Sequence, residues 1–253
     1  MTSREYRAEE LLIAVVCRLL EGSRHIAVGV SSPIPGSAAL LRRALDDRLD
    51  GTGPKVSVIG AESPEFRTDG GVDMFDCAGQ GRIDAFFLSG GQIDGEANIN
   101  LVGVGDYPRQ KARWGGSFGS AYLYFVVPRV ILFREEHSRR VLVPKVDFVS
   151  APGWSPAGVY RPGGPVALVT PLCLFTFDKA RRRFALASLH PGVPLEQVRD
   201  ETGFDFDVPG NVPETIPPQN EWLALLRGRV AREISDPYPK FAARVFGAAP
   251  AAA

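Results

Sequence analysis

Residues 83–100, Ile83-Asp-Ala-Phe-Phe-Leu-Ser-Gly-Gly-Gln-Ile-Asp-Gly-Glu-Ala-Asn-Ile-Asn100, pass from a short apolar block through two glycines into a cluster of polar side chains. The block Ile83 to Leu88 is bounded by turn residues and is too short for a buried helix, so it reads as a buried strand. Gly90 and Gly91 have no Cβ, and there the backbone can turn sharply or admit a close neighbour. Gln92, Asp94, Asn98 and Asn100 then place donors and acceptors just beyond the strand's C-terminal end, where open α/β sheets bind ligands. The same spacing also fits a polar turn between two elements.

Outward from this junction the pattern is strand, helix, strand. Apolar side chains at Leu11, Leu12, Val15, Val16, Leu19 and Leu20 recur at helical steps and predict a helix over 7–20, stopped by Gly22. His25 to Val30 reads as a strand, Ser37 to Leu49 as a helix with Ser37 as its N-cap, and Lys55 to Ile59 as a second strand. This order predicts an α/β fold: a mainly parallel open sheet with flanking helices. A short helix is expected at 73–79. Strands are expected at 122–133, 141–149, 166–177 and 184–189, the last two joined by the basic tip Lys179-Ala-Arg-Arg-Arg183. The Gly- and Pro-rich loop 152–165 is long enough for a functional excursion or a subunit contact. A short helix at 194–202, an extended 208–218 and a helix at 221–234 complete the chain, which is expected to be a single domain (1–253) with 208–253 wrapping its surface; the Ala-rich end, 248–253, is expected to fray.

The totals remove several functions. Twenty-nine basic residues balance 29 acidic ones, so no net field selects nucleic acid or an anionic membrane. Cys17, Cys77 and Cys173, and His25, His137 and His190, are scattered without metal-ligand spacing, so no metal site is expected. His190 precedes Pro191-Gly192, a position that suits a structural turn histidine better than a catalytic one. No glycine fingerprint opens a helix after the first strand, which argues against a nicotinamide site. The apolar run Leu11 to Val16 is too short to span a bilayer, and no leader pattern precedes it, so a cytoplasmic protein is expected.

Several pieces, in their order, resemble the β subunit of class I CoA-transferases. They are Gly90-Gly-Gln-Ile-Asp94, Asn98, Asn100, the Gly115-Gly116 loop, His190-Pro-Gly-Val193, Leu195-Glu196, Val198 and Thr202-Gly-Phe204. The resemblance implies a second, α subunit, an α2β2 assembly, and an acyl-CoA thioester bound between subunits. It also implies no permanently bound cofactor, with coenzyme A entering as part of the substrate. In that family a glutamate followed by a small polar residue and glycine attacks the thioester; the matching place here is Glu62-Ser63-Pro64. Proline for glycine removes a backbone donor and pushes Ser63 toward extended conformations.

The stretches Glu62-Ser-Pro-Glu-Phe66, Ala97-Asn-Ile-Asn100 and Tyr107-Pro-Arg-Gln-Lys111 are similar to a branch of the family, the β subunits of actinobacterial hydrolases that open the last steroid ring in cholesterol breakdown. That likeness implies hydration and retro-Claisen cleavage of a cyclic β-keto acyl-CoA, with the main carboxylate on the α subunit. Backbone N–H groups of Gly90 and Gly91 are the expected oxyanion donors, or serve the turn alone. Gln92, Asn98 and Asn100 are expected to bind substrate or coenzyme A, or to cap loops. Arg109, Lys111 and Arg113 are expected to pair with anionic groups of the ligand, and Gly115 and Gly116 to present N–H groups to an anion, or to lie on the surface. The ring-opening hydrolase is the leading expectation, an ordinary CoA-transferase with Glu62 as nucleophile the second, and a noncatalytic scaffold for an active α subunit the third.

Overall fold

A computed structural model describes residues 6–247; the Ala-rich end lies outside them. The chain divides into two compact units, Met1–Phe87 with Ile216–Ala253, and Leu88–Thr215. In the first, α1 (Ala8–Leu19) forms where its periodicity predicts a helix, and it buries Leu11 through Cys17 without a break, more than the one apolar face expected. β1 (His25–Val28) leads to α2 (Pro33–Asp50), which starts four residues before the expected N-cap Ser37. Two prolines in the first helical turn, where no intrahelical N–H bond is lost, explain the early start. Ser37 lies inside the helix and donates its hydroxyl to the Pro33 carbonyl at 2.8 Å. β2 (Lys55–Val58) and β3 (Ala85–Leu88) both pair parallel to β1, with α3 (Val72–Gly79) between them in sequence.

The second unit opens with two hairpins too short for any periodicity to announce. β4 (Gln92–Ile93) pairs with β5 (Ile99–Asn100), and β6 (Gly103–Val104) with β7 (Ala112–Arg113). The expected strand 122–133 is half helix: α4 (Ser120–Val126) comes first and β8 (Arg129–Phe133) follows Pro128. The Tyr124 side chain is fully buried and donates its hydroxyl to the Ala97 carbonyl at 2.9 Å, a tertiary bond that overrides the aromatic strand propensity. The expected strand 141–149 is irregular and makes one isolated bridge, Leu142 to Ile93.

β9 (Pro165–Val169) runs parallel to β8, whereas β10 (Cys173–Asp178) and β11 (Arg183–Leu189) continue antiparallel. The predicted single strand 166–177 is therefore two strands. The Thr170 hydroxyl oxygen accepts the Leu172 and Cys173 N–H groups at 3.3 Å each and turns the chain between them. α5 (Leu195–Glu201) follows, and Phe184 stacks on Phe204 at 5.4 Å in the core of this unit.

Back in the first unit, the expected C-terminal helix is α6 (Asn220–Leu225), a π-helical turn (Leu226–Val230) and α7 (Ala231–Ile234) in succession. Leu223, Leu226, Val230 and Ile234 are buried. Arg227 forks onto Glu10 at 2.7 and 2.8 Å, and Glu10 is 1% exposed. A further helix, α8 (Pro239–Phe246), buries Phe241, Ala242 and Val245. Among the described residues no helix is long and apolar enough to cross a membrane.

Candidate active site

The β4–β5 hairpin holds the amide residues, and nearly all of their polar atoms are spent inside the protein. Asn100 is fully buried: its Oδ1 accepts the Val102 and Gly103 N–H groups at 2.9 and 3.2 Å, and its Nδ2 donates to the Gly103 carbonyl and to Gln92 Oε1, each at 2.7 Å. The backbone donors fix which way this amide points. Asn98 accepts the Gly153 N–H at 3.1 Å and donates to Asp94 at 3.2 Å, tying the 152–165 loop to the hairpin. Asp94 in turn accepts the N–H groups of Glu96 and Asn98; burial pushes its carboxyl above the usual range against these bonds. Gln92 Oε1 also accepts the Asp147 N–H at 3.0 Å, so the Gln92 amide is held rigidly. Its Nε2 is the one amide donor of the three without a partner among the described residues.

The two glycines differ. The Gly91 N–H donates to the Asn100 carbonyl at 2.9 Å, and a Cβ on Gly91 would sit 2.1 Å from the Trp114 ring. Gly91 is therefore closely packed, with its N–H donor spent on the Asn100 carbonyl. Gly90 is also tightly packed, 2.5 Å from Ile99 at its would-be Cβ, but no hydrogen bond among the described residues takes its N–H.

Arg109, Lys111 and Arg113 lie exposed on and beside the β6–β7 hairpin, and Arg113 donates only weakly to Gln110 at 3.4 Å. Gly115 and Gly116 are exposed as well. The Gly116 N–H is used by the Leu101 carbonyl at 3.0 Å, which withdraws it as an anion donor.

Glu62 lies in the first unit, in the loop leaving β2 at its C-terminal end. Its side chain is exposed and its carboxylate has no partner among the described residues. The neighbouring Glu65 is paired with Arg43, whose guanidinium lies 5.2 Å from the Phe66 ring centre. The Ser63 carbonyl accepts the Phe66 and Arg67 N–H groups at 3.1 and 2.9 Å, a turn in which Pro64 takes the second position that proline favours. The N–H groups of Glu62 and Ser63 both donate to Asp236, at 3.0–3.2 Å. With Pro64 lacking an N–H, residues 62–64 supply a free carboxylate and no backbone donor for an oxyanion. Asp236 carried no signal in the sequence, because its partners are 173 and 174 residues away.

His190 and His137 are interior residues of the second unit. His190 Nε2 faces the Thr170 carbonyl at 2.9 Å and must donate, so its Nδ1 accepts from the Thr215 hydroxyl at 2.9 Å. The Thr202 hydroxyl donates to the Val198 carbonyl, so it receives His137 Nε2–H at 2.9 Å, and His137 Nδ1 accepts from the Thr170 hydroxyl at 2.8 Å. Burial lowers both imidazoles to about 4. Burial likewise pushes the Cys17 and Cys173 thiols up to about 12, which leaves them inert. Among the described residues no cluster of histidine, cysteine or carboxylate side chains could hold a metal ion.

Comparison with known proteins places these parts. The family model described as Coenzyme A transferase matches residues 51–201, more than half of the sequence and inclusive of the Glu62 loop and both hairpins. The chain belongs to the Coenzyme A transferase family. It is 36% identical over 158 residues to the β subunit of the 3-oxoadipate CoA-transferase of Pseudomonas knackmussii, covering 60% of each chain. It is 30% identical over 170 residues to the cholesterol ring-cleaving hydrolase IpdB subunit of Rhodococcus jostii, covering 65% of this chain and 64% of that one. The matched region thus spans less than two thirds of these relatives' lengths. The fold matches the crystal structure of the decarboxylase AibA/AibB with a TM-score of 0.75 at 22% identity, over 96% of this chain and 100% of that one.

Proposed function

We propose that this chain is the β subunit of a CoA-transferase that moves coenzyme A between carboxylic acids, with Glu62 as the nucleophile and an α subunit as obligate partner. The observation that carries the reading is the free carboxylate of Glu62, exposed at the C-terminal end of a parallel strand on a loop whose backbone is pinned on both sides. The higher identity to a transferase β subunit than to the ring-cleaving hydrolase supports the same choice. In the reaction the Glu62 carboxylate attacks the thioester carbonyl and expels the CoA thiolate, leaving a mixed anhydride. The thiolate then attacks the glutamyl carbonyl and releases the first acid, giving a glutamyl-CoA thioester. The acceptor carboxylate reverses these steps and restores Glu62. Coenzyme A thus enters and leaves as part of the substrate, and no resident cofactor is required. Val159 and Tyr160, 48% and 85% exposed on the 152–165 loop, suit contact with the α subunit in an α2β2 assembly.

One observation favours a second reading. The Glu62 loop offers no oxyanion donor across residues 62–64, whereas the Gly90 N–H and Gln92 Nε2 are unspent in the second unit. A hydrolase that adds water to a ring ketone β to the thioester, then cleaves the C–C bond through a thioester enolate, needs those donors and no covalent intermediate on this chain. The similarity to the cholesterol ring-cleaving hydrolase IpdB subunit motivates a steroid-ring substrate for that reading.

The test is borohydride trapping of the co-expressed α–β complex during incubation with acyl-CoA, followed by peptide mass spectrometry. Reduction of the Glu62 side chain to the alcohol is the expected result. Turnover of a cyclic β-keto acyl-CoA with one oxygen taken from labelled water, and an unmodified Glu62, would instead establish the hydrolase. A fully active complex carrying Glu62→Ala together with Gln92→Ala would reduce this chain to a scaffold.

A further inference from the structure

We infer that Asp236 is the positioning residue for Glu62, the side chain that fixes where the nucleophilic carboxylate starts. The inference rests on the reading of Glu62 given above. Both Asp236 oxygens receive the Glu62 N–H, at 3.1 and 3.2 Å, and one of them also receives the Ser63 N–H at 3.0 Å. Two successive backbone N–H groups converging on one anion form a nest, and bonds to an ionised acceptor are stronger than neutral ones. Among the described residues Asp236 forms no ion pair, and these two N–H groups are its only hydrogen-bond partners. Its half-buried charge is therefore committed to this loop alone.

The neighbouring residue Tyr238 repeats the arrangement on the adjacent strand. Its hydroxyl donates to the Gly29 carbonyl at 3.0 Å and receives the Ser32 N–H at 3.3 Å, holding the turn that leaves β1. A Cβ on Gly36, in the first turns of α2, would come within 3.4 Å of the Tyr238 ring, so the ring is closely fitted there. Three consecutive residues after α7, Asp236-Pro237-Tyr238, thus clasp the turns at the C-terminal ends of two neighbouring parallel strands. With its own N–H and the following peptide both held, Glu62 keeps only its side-chain torsions free. That restriction reduces the search for an attacking geometry, the effect for which small misplacements cost large factors in rate.

The experiment compares wild type, Asp236→Asn and Asp236→Ala in the intact α–β complex, measuring kcat, KM and the rate of borohydride-trapped adduct on Glu62. Asp236→Ala is expected to lower kcat and adduct formation together, on the order of 10- to 100-fold, with KM changed less than about twofold. Asp236→Asn keeps one acceptor oxygen and is expected to recover part of the loss. Equal fall in kcat/KM through KM alone, or kcat for both variants within about twofold of wild type, would overturn the positioning role. Should Asp236→Ala not assemble, the same limits applied to Asp236→Asn decide. A wild-type complex that turns over without any adduct on Glu62 refutes the transferase reading itself, a result separate from either variant's behaviour.

Discussion

The loop at Glu62 and the hairpin at Gln92–Asn100 both follow a strand and both present polar residues, yet they use them in opposite ways. In the hairpin, the side chains of Asp94, Asn98 and Asn100 are consumed by backbone groups, and the hairpin and the 152–165 loop depend on them. In the loop, the backbone is consumed by Asp236 and by its own turn, and the Glu62 side chain is left over. Polar character and position after a strand are shared by the two places; what differs is the partner of each donor and acceptor. Buried polar groups have to be paired, so an unpaired exposed carboxylate on a held backbone carries more functional information than four buried amides and acids.

Reciprocal substitutions break or sharpen that contrast most strongly. Glu62→Gln is expected to lower transferase turnover on the order of 10⁴-fold or more, while the melting temperature of the complex stays within about 2 °C, because no described residue bonds the carboxylate. Asn100→Ala strands two backbone N–H groups and the Gly103 carbonyl, leaves Gln92 Oε1 with the Asp147 N–H alone, and is expected to cost about 3 kcal/mol. A thermal melt of each variant reads the difference. An Asn100→Ala protein of normal stability with failed substrate binding would return the amides to the ligand.

Acid tests the buried histidines of the second unit next. His137 and His190 accept from threonine hydroxyls as neutral rings, and burial holds them to about 4 against an ordinary 6.5. Between those values the unfolded chain binds protons that the folded one refuses, so stability is complete above pH 6.5 and falls as pH drops toward 4. The gap corresponds to roughly 3 kcal/mol per histidine. Urea melts at pH 7 and pH 4.5 are expected to show most of this loss in wild type and about half of it in His190→Asn. An unchanged pH profile in that variant would mean that the network around Thr170 and Thr215 tolerates the charged ring.

Much of the fold could be read from the sequence, for local reasons. The Leu11–Leu20 spacing, the β-branched run at Lys55–Ile59 and the glycine-ended block at Ile83–Leu88 each carry their own period, and each became the expected element. The Tyr122–Val126 segment did not, because aromatic composition reads as strand while the buried Tyr124 hydroxyl bond to Ala97 decides for helix. Two-residue strands such as Gln92–Ile93 have no period to read. At the site, the sequence supplied Glu62 through resemblance and the amides through composition, but not their division of labour. Asp236 and Tyr238 act on partners 173–174 and 206–209 residues away, and no local pattern encodes such a pairing.

The smallest effects concern the glycines and the exposed charges, and there the contrast is finest. Gly91→Ala drives a methyl into the Trp114 ring, 2.1 Å away, and is expected to destabilise by about 1–3 kcal/mol, whereas a Cβ on Gly115 meets nothing within 4 Å and Gly115→Ala should stay within about 0.5 kcal/mol. If Gly91 served a ligand and not packing, Gly91→Ala would spare the melt and fail only in turnover. Arg109→Ala and Lys111→Ala, both on exposed positions, should also leave stability within about 0.5 kcal/mol. Each is expected to raise KM for acyl-CoA roughly two- to fivefold at low ionic strength, a difference that closes near about 0.5 M salt as screening shortens the reach of the lost charge. A KM that ignores both substitutions and salt would assign these cations to solvent, and would leave the Gly90 N–H and Gln92 Nε2 among the unspent donors of the second unit.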